Sequence, residues 1–304
     1  MDYDPPHVSA VVCTRNRHDS VEQSIRSILA NDFASFELVV IDQSTSDATG
    51  VILRRIEAED PRLRYVHVDE AGLSRAYNTA VRSTGGGILV FTDDDCVAPT
   101  NWMSNIVAAF ESEPDGDLLY GQVVPLSPDP EDASLTPYLN IAKPERLSRK
   151  DGFRVFGMGA NFAARRRLFE SMGYFDEILG GGGELRSSQD FDFAYRVFKA
   201  GRITLLRPEV TLQHDGRRDL KDWPTLLRNY GIGDGGFYTK HVRCFDIYAL
   251  YLLTKQITVG TTKHLIKLAL RRGTNLDYIR GVLVGIRGSF KFGVDRKARL
   301  YVTK

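Results

Sequence analysis

The chain has little of what would advertise a function. Only Cys13, Cys96 and Cys244 occur in 304 residues, far apart and odd in number. That excludes a disulfide framework or a cysteine-spaced zinc site and favours a reducing compartment. No apolar run approaches the ~20 residues that span a bilayer; those around Ile247–Leu253 and Gly281–Ile286 are too short. The start, Met1-Asp2-Tyr3-Asp4-Pro5-Pro6, is acidic and proline-bearing, unlike a basic and apolar signal peptide. A cytoplasmic protein is expected. Neither G-x-G-x-x-G nor G-x-x-x-x-G-K-[ST] occurs after the first strand, so the usual glycine-rich cradles for dinucleotides and triphosphates are missing. No internal repeat is present.

What is there is an ordinary globular composition, 42% hydrophobic and 26% charged, with a hidden charge asymmetry. Lys240–Lys304 holds 14 Lys/Arg against 3 Asp/Glu, which leaves 26 of the chain's 40 basic and 36 of its 39 acidic residues for the remainder. An acidic body with a basic tail implies different partners for the two parts.

Apolar runs rich in β-branched residues predict strands at Val8–Cys13, Phe36–Ile41, Leu63–Val68 and Ile88–Phe91. Between them, helical spacing predicts helices over Val21–Leu29 (with Ser20 as N-cap), Val51–Ala58 and Ser74–Arg82, the last stopped by Gly85–Gly87. This alternation predicts a parallel sheet with helices on both faces and a ligand beyond the carboxyl ends of its strands. Thr14, Arg15, Asn16, Asp42, Asp69 and Asp93–Asp95 fall at those ends. Further on, Trp102–Phe110 and Asp190–Ala200 read as helices, and Asp117–Val124, Arg202–Leu206 and Val210–His214 as strands. Ser127–Lys150, with four prolines, reads as a surface loop, Gly180–Gly183 as a hinge, and "RNYGIGDGGFYTKHVR" as a glycine-rich turn.

Three adjacent carboxylates after an apolar strand, "ILVFTDDDCVAP", repel one another unless a cation joins them. A hard divalent ion bound through carboxylates, and bridging to phosphates, resolves this; Arg15, Arg17 and Arg75 could neutralise further phosphate charge. The bland alternative is a solvated turn capping the next helix.

The ordered motifs "VVCTRNR", "ELVVIDQST", "GLSRAYNTAV", "FTDDDC", "GMGANFAARR", "SSQDFDFAYRVFKAG" and "LQHDG" span roughly Val8 to Gly216. In this order they resemble glycosyltransferase family 2, inverting enzymes with the A-type nucleotide-diphospho-sugar transferase fold. The resemblance implies a three-layer, mostly parallel α/β sheet with helices on both faces, a catalytic domain over residues 1–216, and a basic helical appendage over 217–304. It also implies a metal-dependent transfer from a nucleotide-diphospho-sugar donor to a hydroxyl on a glycan or lipid-linked acceptor, in cell-surface or exopolysaccharide biosynthesis. Thr14, Arg15, Asn16, Arg17 and Asp42 would cradle the nucleotide. Arg75 and Asn78, three apart on one helix, would face the same ligand. Asp93 and Asp94 would meet the donor, while Asp95 and His214 would hold Mg²⁺ or Mn²⁺. Asp190 would be the base that takes the acceptor proton. The family's usual Glu-Asp pair reads Gln189-Asp190 here. Asp192 reads as a helix-dipole charge, Glu184 as a reserve base, and Gly157, Gly159 and Asn161 as backbone near the donor sugar or as core.

The basic tail reads as an amphipathic helix in which Ile247, Leu250, Tyr251, Leu253 and Thr254 give way to Lys263, His264 and Lys267, followed by a helix over Leu276–Ile286. It either completes the globule or rests on anionic membrane; no nucleic-acid module accompanies it. Two rival readings are a non-catalytic sugar-nucleotide-binding relative and a nucleotidyltransferase. The second lacks the glycine-rich loop it would need in "VVCTRNR".

Overall fold

Val8–Thr14 (β1) is built of small and β-branched residues and is buried almost throughout, as a strand covered on both faces must be. In the computed structural model, which describes residues 7–126, 138–154, 157–215, 220–269 and 276–303, it begins a regular alternation. Val21–Leu29 (α1), Phe36–Asp42 (β2), Ala48–Glu59 (α2), Leu63–His67 (β3), Leu73–Ser83 (α3) and Ile88–Asp93 (β4) follow. Cys96–Val97 (β5), Trp102–Ser112 (α4), Gly116–Pro125 (β6), Glu145–Leu147 (β7), Asn161–Arg165 (β8), Arg166–Met172 (α5), Gln189–Lys199 (α6) and Ile203–His214 (β9) complete the nine-stranded sheet and its helices.

The strand order is β3-β2-β1-β4-β8-β6-β9-β5, with β7 beside β9. β3, β2, β1 and β4 are mutually parallel, and β6 is parallel to β9. β8, β5 and β7 run antiparallel to their neighbours. The order steps one way from β1 to β3 and returns to β4, so right-handed crossovers place α1 and α2 on one face and α3 on the other. Burial follows this division. Val8, Ala10 and Val12 join a core with Ile25 and Ile28 of α1 and Leu53 and Ile56 of α2. On the opposite face Phe91 of β4 meets Tyr77 of α3 edge-on at 5.0 Å and stacks on Phe162 of β8 at 4.5 Å.

Four local expectations need correction. The two late strands are one, β9. Its register against β6 jumps from Gly121↔Arg207 to Gln122↔Thr211, so the residues around Pro208, which has no amide to donate, bulge out of the ladder. α2 starts at Ala48, three residues earlier than its apolar spacing indicated. Residues 127–137 of the expected surface loop lie outside the described residues, but Glu145–Leu147 within that span pairs with β9. The glycine-rich stretch is no turn: it lies wholly within a 21-residue helix and runs to its C-terminal end.

Contacts divide the chain into one unit of Met1–Ala71, Arg75–Tyr174 and Ala194–Arg217 and another of Gly72–Ser74, Phe175–Phe193 and Arg218–Lys304. The second unit contains Trp223–Arg243 (α7), Ile247–Ala269 (α8), Asp277–Ser289 (α9) and an antiparallel hairpin of Gly293–Asp295 (β10) and Leu300–Val302 (β11). Helix α7 tolerates its glycines because they are where α9 crosses it. A Cβ on Gly231 would lie 2.1 Å from the Tyr278 carbonyl oxygen, and one on Gly235 2.2 Å from that of Val282. Gly281 and Gly285 of α9 are as tightly apposed to the Arg228 and Ile232 carbonyls. Glycines four apart on each helix let the two backbones touch, a gain that outweighs their poor helix propensity.

Helix α7 also carries a buried ion cluster. Lys240 Nζ is 2.6 Å from Asp176 Oδ2 and 2.7 Å from Asp192 Oδ1, with all three side chains nearly inaccessible. His241 Nε2 is 2.8 Å from Asp192, and the Arg299 guanidinium donates to His241 Nδ1 at 3.2 Å. Arginine can only donate, so Nδ1 accepts and Nε2 carries the proton; burial pushes the imidazole pKa down to about 4, keeping it neutral. Asp192 lies in the first turn of α6, where the helix-dipole reading put it, but it is also more than that. It is the buried counter-ion that joins α6 to α7.

Candidate active site

The register of the parallel strands sets the site. β1 aligns Thr14 with Asp42 of β2 and Cys13 with Asp93 of β4, so three carboxyl ends finish together. Asp42 is buried; its Oδ1 accepts the Ser44 N–H at 2.8 Å and its Oδ2 the Tyr65 hydroxyl at 3.1 Å. Asn16 takes a left-handed φ of 56°, which asparagine tolerates better than most residues. Its N–H donates to Ser44 Oγ at 2.7 Å, and its Oδ1 accepts the Thr45 N–H at 2.9 Å. The loops after β1 and β2 are thus stitched into one rim.

The acidic triplet splits by environment. Asp93 is half-buried, and Ser24 donates to its carbonyl at 3.2 Å. Asp94 and Asp95 are each only 7% exposed. Thr14 Oγ1 donates to Asp94 Oδ2 at 2.6 Å, yet burial wins and the Asp94 carboxyl is held above the usual range. Arg17, itself 40% exposed, reaches Asp95 Oδ2 at 3.3 Å and Asp94 at 4.0 Å. Asp95 Oδ1 lies 3.1 Å from His214 Nε2.

His214 reaches the triplet through β5, which sequence reading missed because it is two residues long. Cys96 of β5 pairs with His214 at the end of β9, and the Asp215 N–H donates to the Asp95 carbonyl at 2.9 Å. Cys96 is a neighbour that no motif singled out. Its thiol comes within 4.8 Å of an Asp95 oxygen and a His214 nitrogen. Burial pushes that thiol well up, and it packs in the core. The carboxylate oxygen and imidazole nitrogen beside it are donors that suit a hard or borderline divalent ion such as Mn²⁺ or Mg²⁺. Two adjacent buried carboxylates with an imidazole 3.1 Å from one of them fit such an ion.

Not every strand-end group joins this cluster. The Asp69 side chain is fully exposed. Arg15 is exposed, and Arg75 lies at the surface, where its guanidinium meets Glu70 at 2.5 Å. Asn78, three residues along α3, is buried. Asn161 is wholly inside: it accepts from Trp102 Nε1 at 3.0 Å and donates to the Gln122 and Val210 carbonyls at 2.8 and 3.0 Å. It cross-links α4, β6 and β9. Gly157 has a φ of 88°, and a Cβ there would strike the Tyr120 ring.

Comparison with known proteins agrees with this architecture. The profile of Glycosyl transferase family 2 matches residues 9–173, more than half of the chain. The chain belongs to glycosyl transferase family 2. Glycosyltransferase AglE of Haloferax volcanii is 24% identical over 263 residues, covering 84% of this chain and 81% of AglE. The GalNAc(5)-diNAcBac-PP-undecaprenol beta-1,3-glucosyltransferase of Campylobacter jejuni is 24% identical over 204 residues, 65% of this chain and 64% of that protein. Among solved structures, the mannosyltransferase PcManGT of Pyrobaculum calidifontis, in complex with GDP-Man and Mn²⁺, superposes with a TM-score of 0.63 at 19% identity. The match covers 93% of this chain and 88% of PcManGT, so the transferase shares that fold.

The glycosyltransferase carries Asp190 in its second unit, in the first turn of α6. Asp190 is half-buried, and its Oδ1 accepts the Phe191 N–H at 3.0 Å. The Gly180–Gly183 run before it is a knotted turn: Gly180 N–H donates to Ser187 O, Gly183 N–H to Gly180 O and Leu185 N–H to Ile178 O. Glu184 is exposed.

Proposed function

We propose that this glycosyltransferase moves a sugar, with inversion, from a nucleotide-diphospho-sugar to a hydroxyl of a lipid-linked glycan in cell-surface polysaccharide assembly. The observation that carries the proposal is the buried Asp94–Asp95–His214 group at the converging ends of β1, β4 and β9. Such a group is costly to bury unless a cation and an anionic ligand complete it. The Mn²⁺ and GDP-Man of PcManGT and the undecaprenol-diphosphate acceptor in the Campylobacter enzyme's name support the donor and acceptor classes.

In this reading Thr14, Arg15, Asn16, Arg17 and Asp42 bind the nucleotide, Arg75 and Asn78 add contacts from α3, and Asp93 and Asp94 orient the donor. Asp42 is prepared for the role, because fixed donors already hold its carboxylate in a set geometry. Asp95 and His214 would hold Mg²⁺ or Mn²⁺, which supplies charge neutralisation for the leaving diphosphate. Arg17 adds a fixed positive charge beside them. Asp190 takes the proton from the acceptor hydroxyl as it attacks the anomeric carbon, while the carbon–oxygen bond to the diphosphate breaks. Thermal stability measured against a panel of nucleotides and nucleotide-sugars, with and without Mn²⁺, tests the proposal. At least one nucleotide-sugar is expected to raise Tm more with the metal than without; a flat panel under both conditions overturns it.

The acceptor would be met at an anionic membrane on the cytoplasmic side. No helix among the described residues is long and apolar enough to cross a bilayer. In the second unit, however, Phe245 and Ile247 are 77% and 82% exposed. Ile247, Leu250 and Tyr251 share one face of α8, Lys255 is exposed one turn on, and Arg296 lies over the Phe245 ring at 4.5 Å. Apolar side chains ringed by cations suit the headgroup boundary. The side chains of Lys263, His264 and Lys267 lie outside the described residues. Sedimentation with anionic vesicles is expected for the wild type and lost in Ile247→Asp. Equal pelleting of both proteins, or none of the wild type, overturns the membrane contact.

A further inference from the structure

The turn that leads into Asp190 is held in an uncommon backbone state. Arg186 and Ser188 have φ values of 67° and 69°, two non-glycine residues in the left-handed region within three positions. That region is sterically unfavourable for residues with a Cβ, and such a backbone persists only where surrounding contacts impose it. Helix α7 imposes it. Ser188 Oγ donates to Asp234 Oδ1 at 2.7 Å, and Ser187 Oγ donates to the Asn229 carbonyl at 3.1 Å. Gly233, between those anchors, leaves room for both hydroxyls: a Cβ there would come within 2.1 Å of Ser187 Oγ and 2.6 Å of Ser188 Oγ.

Asp234 is in turn fixed from α9. The Tyr278 hydroxyl donates to its Oδ2 at 2.5 Å, and Gln256 Nε2 of α8 donates to the same hydroxyl at 2.5 Å. Downstream, the Ser188 carbonyl accepts the Asp192 N–H at 2.9 Å and so opens α6 around Asp190. Burial holds the Asp234 carboxyl above the usual range, and the charge of Asp190 adds to that rise, so the two carboxylates feel each other. With Gln189 neutral, Asp234 supplies a second carboxylate near Asp190 from a different helix.

We propose that Asp234 is a positioning residue. Through Ser188 it locks the left-handed turn at the start of α6, and thereby fixes where the Asp190 carboxylate is presented to the acceptor hydroxyl. The inference rests on Asp190 being the base and adds the device that aims it. Nothing in it depends on Asp234 touching substrate.

Steady-state kinetics, normalised to nucleotide-sugar binding sites, tests it. Asp234→Ala and Ser188→Ala are each expected to lower kcat about 10- to 100-fold, the effect of a reacting group misplaced by an ångström. Donor KM and Kd should stay at wild-type values. Asp234→Asn keeps an oxygen for Ser188 and is expected to retain most of the rate. In an Asp190→Asn background, adding Asp234→Ala should lower the residual rate no further, because both act on one step. Wild-type kcat in both alanine variants, or a multiplicative loss in the double variant, overturns the positioning role. If Asp234→Ala does not fold, Ser188→Ala, which removes a single oxygen, decides alone. Full transfer by Asp190→Asn would instead overturn the base assignment, an outcome distinct from an inactive Asp190→Asn beside fully active Ser188→Ala.

Discussion

Asp190→Asn is expected to bind donor normally and to transfer sugar about 10²- to 10⁴-fold more slowly, the usual contribution of a positioned general base. The substitution is nearly isosteric, and asparagine can still accept the Phe191 N–H that Asp190 Oδ1 receives at 3.0 Å. The fold of α6 should therefore survive, because its buried anchor is Asp192 in the cluster with Lys240 and His241. What asparagine cannot do is take a proton from an attacking hydroxyl. Product formation under saturating donor, set beside calorimetric titration of the nucleotide-sugar, separates the two effects. A normal transfer rate sinks the assignment, and a parallel loss of donor affinity shows that Asp190 binds rather than reacts. Asp192→Asn gives the contrasting control. It leaves Lys240 with less compensation in a dry site, a change of the kind that costs several kcal/mol in stability, and its loss of activity should follow its loss of folded protein.

How far the residues announced this arrangement depends on the range of the interactions involved. The βα alternation up to β4 was legible because β1, β2 and β4 are short, apolar and covered on both faces, and each helix carries its own apolar stripe. The grouping of Thr14, Asp42 and Asp93–Asp95 followed from strand direction alone, since parallel strands end on the same side. Asp69, and Asn161, which was read as site backbone or as core, show the limit of that logic. A polar residue at the right end of an element can still turn to solvent, as Asp69 does, or tie core elements together, as Asn161 does. The glycines of α7 misled because glycine signals a turn locally, whereas here their reason is α9, which arrives some 50 residues later in the chain. The buried role of Asp192 was hidden for the same cause: its partners Lys240 and His241 are as distant in sequence. β5 and Cys96 left no signal, because a two-residue strand has no periodicity and exists through its pairing with β9.

Asp95→Ala is expected to remove most of the difference that Mn²⁺ makes to donor affinity. Asp95 sits 3.1 Å from His214 and 3.3 Å from Arg17, so two roles are open to it. If it only pins those two side chains, its loss should weaken nucleotide-sugar binding by the same factor with metal and in chelator. If it holds the ion, affinity in chelator should change little, while affinity with Mn²⁺ falls by about 10²- to 10³-fold, as several kcal/mol of metal-mediated stabilisation of the diphosphate would require. His214→Ala should act in the same direction but less severely, because a neutral imidazole contributes no charge of its own and a water can take its place on the ion. Raising the Mn²⁺ concentration should therefore restore His214→Ala and leave Asp95→Ala impaired. Equal losses with and without metal, or equal rescue of both variants, would show that the buried carboxylate organises Arg17 and His214 rather than a cation. The burial of Asp94 and Asp95 argues for the ion: for two carboxylates withdrawn from water, a divalent cation is a stronger counterweight than the Arg17 guanidinium, which is left 40% exposed.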